Sequence, residues 1–200
     1  MCSSDLIVSD ETHRLERIVD DLLDLSRLEG GGIKMKREPV SVASLFERVR
    51  ARHERQSTTQ GVTLDTHVET GADGLVGDGD RLEQALQNLA ANALRHTPDG
   101  GTIRLSAARV NRQVRLSVHD SGPGIAAEHL PLIFDRFYKA DASRQAAGGS
   151  GLGLSIVKAI VESHGGSISA RNDNGAVFEL LLPVADTAVS PSGDETLPDA

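Results

Sequence analysis

Two hundred residues, 38% hydrophobic and 25% charged, suffice for one domain with a buried core plus a short attachment, and exclude a large multidomain assembly or a wholly disordered chain. No run approaches the roughly 18 consecutive apolar residues of a membrane helix, and no basic segment followed by an apolar core opens the chain, so a cytoplasmic, reducing setting is expected. A net charge of −8 argues against sequence-independent nucleic-acid binding, and a lone cysteine, Cys2, permits neither an intramolecular disulfide nor a cysteine zinc site.

From Glu11 to Glu29 the apolar residues Leu15, Ile18, Val19, Leu22 and Leu25 recur at helical spacing, with Leu23 and Leu28 off the stripe. Val8, Leu15 and Leu22 fall seven apart, the seam of a helix in a bundle. Gly30-Gly31-Gly32 then stops the helix and reads as a hinge. An extended segment ending near Pro39 leads to a helix that Ser41 can cap, with Val42, Leu45, Phe46 and Val49 on one side. Residues 62–68 alternate as a strand. In GDGDRLEQ, Asp80 can cap a helix from Arg81 to Arg95, with Glu83 reaching back in a capping box. Residues 102–110 and 113–120 alternate around Asn111-Arg112 and read as a hairpin. A glycine-punctuated stretch from Asp120 to Gly153 follows, then a helix from Leu154 to His164 and strands at 166–171 and 176–182, closed by Pro183. The tail beyond carries Asp186, Asp194, Glu195 and Asp199 with no base, and is expected to be disordered. The mixture predicts an α+β fold, a two-layer sandwich of one sheet with helices on one face.

Three features carry chemistry. The 81–95 helix places Gln84, Asn88 and Asn92 along one face, followed by Arg95 and His96. Asp120-Ser-Gly122-Pro-Gly124-Ile125 sets a carboxylate at a strand end, then glycines that let the backbone turn tightly against a flat ligand. Gly148-Gly149-Ser-Gly151-Leu152-Gly153-Leu154 runs into a helix N-terminus, where unpaired N–H groups favour phosphate; it lacks the Lys-Ser/Thr ending of a P-loop.

In this order, the amide helix, DSGPG, IFDRFY, GGSGLGLSIVK and HGG resemble the N, G1, F and G2 boxes of the catalytic domain of bacterial sensor histidine kinases, from Asp78 to Pro183. RLERIVDDLLDLSRLE resembles the second helix of that family's dimerisation and phosphoacceptor hairpin. The resemblance divides the chain into a hairpin remnant (1–29), a linker (30–40), a GHKL-type ATP-binding domain (41–184) and the acidic tail (185–200). It implies ATP and Mg²⁺ as cofactors. Asn92 would hold the metal with Asn88 beside it toward the phosphates, Arg95 would face the phosphates, and His96 would replace a frequent aromatic near the nucleotide. Asp120 would accept a hydrogen bond from the adenine amino group, with Gly122, Gly124 and Ile125 giving the base room. Gly149, Gly151, Leu152, Gly153 and Leu154 would line the triphosphate. Residues 139–148 would form a lid, from which Lys139 or Arg144 could swing inward. Phe134, Phe137 and Tyr138 would anchor the lid's base, Phe137 bordering the nucleotide, and would also suit docking on the phosphoacceptor helices.

Related ATPases and the anti-sigma serine kinases place a glutamate four residues before the metal-binding Asn as general base, where this chain has Asn88. An amide takes no proton near neutral pH, whereas a neutral imidazole nucleophile needs little base help, so a histidine kinase is expected over a hydrolase. None of the seven histidines fits a His-Glu/Asp pattern with Pro at the sixth position; His13 and His53 are read as surface residues. The phosphoacceptor helix, and any sensor or membrane segment, are therefore expected upstream. The codons for Cys2-Ser-Ser-Asp-Leu6 can match a sequencing-adapter end, so Met1–Leu6 is expected to be foreign, which resequencing decides. The implied partners are a response regulator and a second copy joined through the hairpin. The alternatives are a stand-alone ATP-binding regulatory module or an anti-sigma-type serine kinase.

Overall fold

The computed structural model describes residues 3–30, 35–140 and 150–184. In chain order these form α1 (Ser3–Glu29), β1 (Glu38–Ser41), α2 (Val42–Thr59), β2 (Thr63–Val68), β3 (Gly74–Gly77), α3 (Gly79–His96), β4 (Thr102–Val110), β5 (Gln113–Asp120), α4 (Gly153–Ser163), β6 (Ser167–Asn172) and β7 (Ala176–Pro183). The main sheet has the order β2-β4-β5-β7-β6. β2 and β4 run parallel because α3 lies in the crossover between them, while the remaining pairs are antiparallel. The expected α+β sandwich is observed.

Alternation decides the buried face. Ile103, Leu105 and Ala107 of β4, Val114, Leu116 and Val118 of β5, and Phe178, Leu180 and Leu182 of β7 are all buried. Above them lie Leu45, Phe46 and Val49 of α2, Leu82, Leu86 and Leu89 of α3, and Ile156, Val157 and Ile160 of α4, each buried. Each such side chain contributes about 2 kcal/mol by leaving water, so this layer fixes α3 and α4 side by side on the sheet.

The start of α3 differs from the expectation. Asp78, not Asp80, is the cap: its Oδ1 accepts the Arg81 N–H at 3.2 Å. The unforeseen strand β3 pairs with β1 and delivers Asp78 in extended geometry two residues earlier. Asp80 instead meets the Lys36 ammonium at 3.0 Å and Glu83 pairs with Arg48, so the capping box does not form. His164 anchors the same corner, its Nε2 accepting the Asp78 N–H at 2.9 Å while Nδ1 donates to the Ile160 carbonyl at 2.8 Å. Those partners require the neutral imidazole.

Among the described side chains of α1, Leu25 and Leu28 are buried and Ile18 is partly buried, while Leu15, Val19, Leu22 and Leu23 are exposed. Leu28, off the stripe by periodicity, belongs to the core because the last turns of α1 pack on α4. The helix ends where Gly30 was expected to stop it; Gly31 and Gly32, the rest of the hinge reading, lie outside the described residues, as does the tail from 185 to 200. His53, expected at the surface, is only 8% exposed because α2 turns it toward α3.

Candidate functional site

Asp120 ends β5 and is 3% exposed. Its Oδ1 is occupied by two backbone donors, the N–H groups of Gly122 at 2.9 Å and Ala176 at 3.3 Å. Oδ2 takes no hydrogen bond from the described residues. One oxygen thus orients the carboxylate and the other is left for a ligand donor. A Cβ at position 122 would stand 2.7 Å from the His96 carbonyl oxygen, so only glycine lets this turn close on the end of α3. Asp120 and the C-terminal end of the amide row are neighbours for that reason.

The glycine loop meets the same row farther back. Asn88 Nδ2 reaches the Gly153 carbonyl at 3.4 Å. Asn88 and Asn92 are half-buried one turn apart, and Asn92 has no hydrogen-bond partner among the described residues. α4 begins at Gly153 with no side-chain cap, which leaves the N–H groups of its first turn to bind an anion. Gly151 holds φ +75° and accepts the Phe137 N–H at 3.0 Å, while Phe137 itself stands at φ +61°. The turn after β5, the amide face of α3 and the N-terminus of α4 therefore converge, with Asn92 one turn from each boundary.

Other expected site residues divide. Ile125 is held through its backbone by Asn172. Leu152 is fully buried and gives its N–H to Ser150 Oγ at 3.2 Å, so its side chain serves the core. Leu154 packs partly against the core and Lys139 is exposed. Arg95 is exposed and borders a cavity of about 360 Å³ with Thr59, Gln60, Leu94, Thr97 and Asp99, at the ends of α2 and α3. That groove lacks Asp120 and both asparagines, so it lies apart from the converging groups. Arg144, Gly149 and residues 141–148 of the lid lie outside the described residues. Phe134 meets Phe178 edge-on at 6.4 Å and Tyr138 bonds His129 at 2.8 Å, which makes both anchors; Phe137 is 55% exposed.

Helix α1 also grips this region through polar contacts that its residue spacing does not signal. Gln84, the first rung of the amide row, donates to Asp24 at 3.1 Å, and Arg81 pairs with the same carboxylate at 3.0 Å. Burial pushes the Asp24 carboxyl up, but the hydrogen bonds from Arg81 and Gln84 and the Arg81 charge outweigh it and hold the group below its ordinary range. Ser150 Oγ donates to Asp21 at 3.0 Å. Heptad spacing marks the apolar seam of α1 but carries no sign of these polar contacts.

The donor set suits Mg²⁺ bound with a polyphosphate. Among the described residues no group of three or more His, Cys, Asp or Glu side chains could hold a metal. A single amide oxygen suffices for an ion that keeps most of its octahedral shell as phosphate oxygens and water.

Residues 77–186 match the family model described as histidine kinase-, DNA gyrase B-, and HSP90-like ATPase. The sensor protein SrrB of Staphylococcus aureus (strain MRSA252) is 37% identical over 180 residues, covering 88% of this chain and 31% of that protein. The chain thus spans about a third of the length of the curated relatives it matches. Among solved structures, full-length ShkA in complex with AMPPNP superposes with a TM-score of 0.75 at 29% identity, over 85% of this chain and 36% of that one. The histidine kinase ThkA in complex with the response regulator protein TrrA gives 0.72 at 28% identity, over 89% of this chain and 49% of that one.

Proposed function

The chain belongs to the family of histidine kinase-, DNA gyrase B- and HSP90-like ATPases, and on that premise we propose that it is the catalytic, ATP-binding portion of a sensor histidine kinase. The observation that carries this reading is the half-satisfied Asp120 facing the same region as the Asn88–Asn92 row and the uncapped start of α4. Asp120 Oδ2 accepts from the exocyclic amine of adenine, a donor that guanine replaces with a carbonyl. Asn92 would hold Mg²⁺ through its side-chain oxygen, and the bound ion would supply charge neutralisation for phosphoryl transfer. Asn88 would stand beside the phosphates, the α4 N-terminus and Gly151 would hold them, and Lys139 or Arg144 would supply a facing cation. Catalysis is positioning and electrostatics, with no built-in base for water.

The γ-phosphoryl passes to a histidine outside this chain and from there to a response-regulator aspartate. The support is Asn88 where hydrolytic relatives carry glutamate, together with the likeness to SrrB and to ThkA in its regulator complex. The full protein is a homodimer through the helical hairpin, for which the exposed Leu15, Val19 and Leu22 supply a seam. No helix among the described residues is long and apolar enough to cross a membrane; a cytoplasmic setting with an upstream anchor completes the proposal.

The test is label transfer from γ-labelled ATP to a separately supplied phosphoacceptor hairpin. Acid-labile label on that hairpin, and none on this chain, is expected. ATP binding without any transfer would favour a regulatory binding module, and acid-stable label on a serine would favour the anti-sigma type.

A further inference from the structure

We propose that Asn172, at the end of β6, is a positioning residue for the purine end of the site; this rests on reading Asp120 as the base contact. The Asn172 amide spans Ile125, with Oδ1 accepting the Ile125 N–H at 2.8 Å and Nδ2 donating to the Ile125 carbonyl at 2.6 Å. Only one orientation of the amide satisfies both groups. It replaces a rung of β-ladder for a residue that no strand reaches, and so fixes the backbone of the turn after Asp120.

The rest of the β6–β7 turn closes on Asp120 itself. His119 Nε2 bonds the Asp173 carbonyl at 2.8 Å, and Ala176 donates to Asp120 Oδ1 at 3.3 Å. Gly175 lies so close that a Cβ there would stand 1.7 Å from the Asp120 carbonyl oxygen. At Gly124 a Cβ would stand 2.8 Å from Asn172 Oδ1, so the turn and the amide fit only as a pair. The free oxygen of Asp120 reads a base edge only if the base lies against Gly122–Ile125 at a set height, and the Asn172 clamp sets it. Among the described residues, the side-chain bonds of Asn172 go to Ile125 alone, so the phosphate end stands apart from it.

The experiment is calorimetry on the full chain with Mg·ATP, Mg·GTP and magnesium tripolyphosphate, comparing wild type, Asn172→Ala and Asp120→Asn. Asn172→Ala is expected to weaken ATP about fivefold and to shrink the preference for ATP over GTP by the same factor, because the freed turn must be re-ordered when the base binds. Tripolyphosphate binding should move less than about twofold. Equal weakening of all three ligands, or ATP affinity within about twofold of wild type while Asp120→Asn loses it, overturns the proposal. Wild type that binds no Mg·ATP removes the nucleotide reading, and this inference with it. If the alanine variant melts near the assay temperature, Asn172→Asp, which keeps an acceptor at the same reach for the Ile125 N–H and removes the donor to the Ile125 carbonyl, is judged by the same criteria.

Discussion

At the scale of single residues, the proposed site is built on polar atoms that have no partner among the described residues. Asn92 sits half-buried with no hydrogen-bond partner among the described residues, so the folded state loses little without it. Asn92→Ala should therefore abolish Mg·ATP binding by calorimetry while the thermal midpoint stays within a few degrees; unchanged nucleotide affinity would remove Asn92 from the metal site. Phe137 makes the opposite kind of exception. Asn111 and Asn174 also have positive φ, but Asn tolerates the left-handed region and Phe does not. Holding Phe137 there costs on the order of 1 kcal/mol, at the point where its N–H meets Gly151. Phe137→Gly should leave the urea midpoint no lower, whereas Phe134→Ala, which removes a ring packed on Phe178, should cost about 3 kcal/mol. A large loss from Phe137→Gly would mean that the exposed ring is held in place.

At the scale of elements, α2 and α3 bury a polar seam that periodicity does not reveal. His53 Nε2 and both polar atoms of the Gln87 amide are buried without hydrogen-bond partners among the described residues. Burial pushes the His53 imidazole below its ordinary value; the neighbouring Gln87 amide opposes this in part, and the Arg52 charge adds to it. The unfolded chain therefore takes up the proton more readily than the folded one. Stability is fully present above about pH 6.5 and falls as the pH drops toward the lowered folded-state value. Urea unfolding between about pH 5 and 8 should show that slope, and His53→Leu should remove it. A slope that survives the substitution assigns it to another group.

The same scale separates what the chain makes legible from what it hides. The β4–β5 hairpin was readable because strict alternation brackets a two-residue turn. The Ser41 cap was readable because it lies directly before its apolar run. β3 was not, since GLVG is too short to alternate and exists only because β1 pairs with it. That strand moved the α3 cap from Asp80 to Asp78. In the site, Asp120, Asn88 and the glycines announce themselves by spacing. Asn172 does not, because its function depends on a contact across 47 residues of chain.

At the scale of the whole molecule, α1 ties a helical seam to the glycine loop before α4. Its inner face buries Leu25 and Leu28 and holds Arg81, Gln84 and Ser150 through Asp24 and Asp21, while Leu15, Val19, Leu22 and Leu23 face outward. The Asp24–Arg81 pair, with side chains 28% and 22% exposed, lies beside the buried Leu25 and Leu28, so polar and apolar contacts together dock the helix. The central claim is that Asp120 and Asn92 address opposite ends of one Mg·nucleotide. A crystal structure of this chain with Mg²⁺ and a non-hydrolysable ATP analogue tests it most directly. It should place the adenine amine within hydrogen-bonding distance of Asp120 Oδ2 and the metal on the Asn92 side-chain oxygen. An analogue bound with its base away from Asp120, or its metal held without Asn92, would contradict the account.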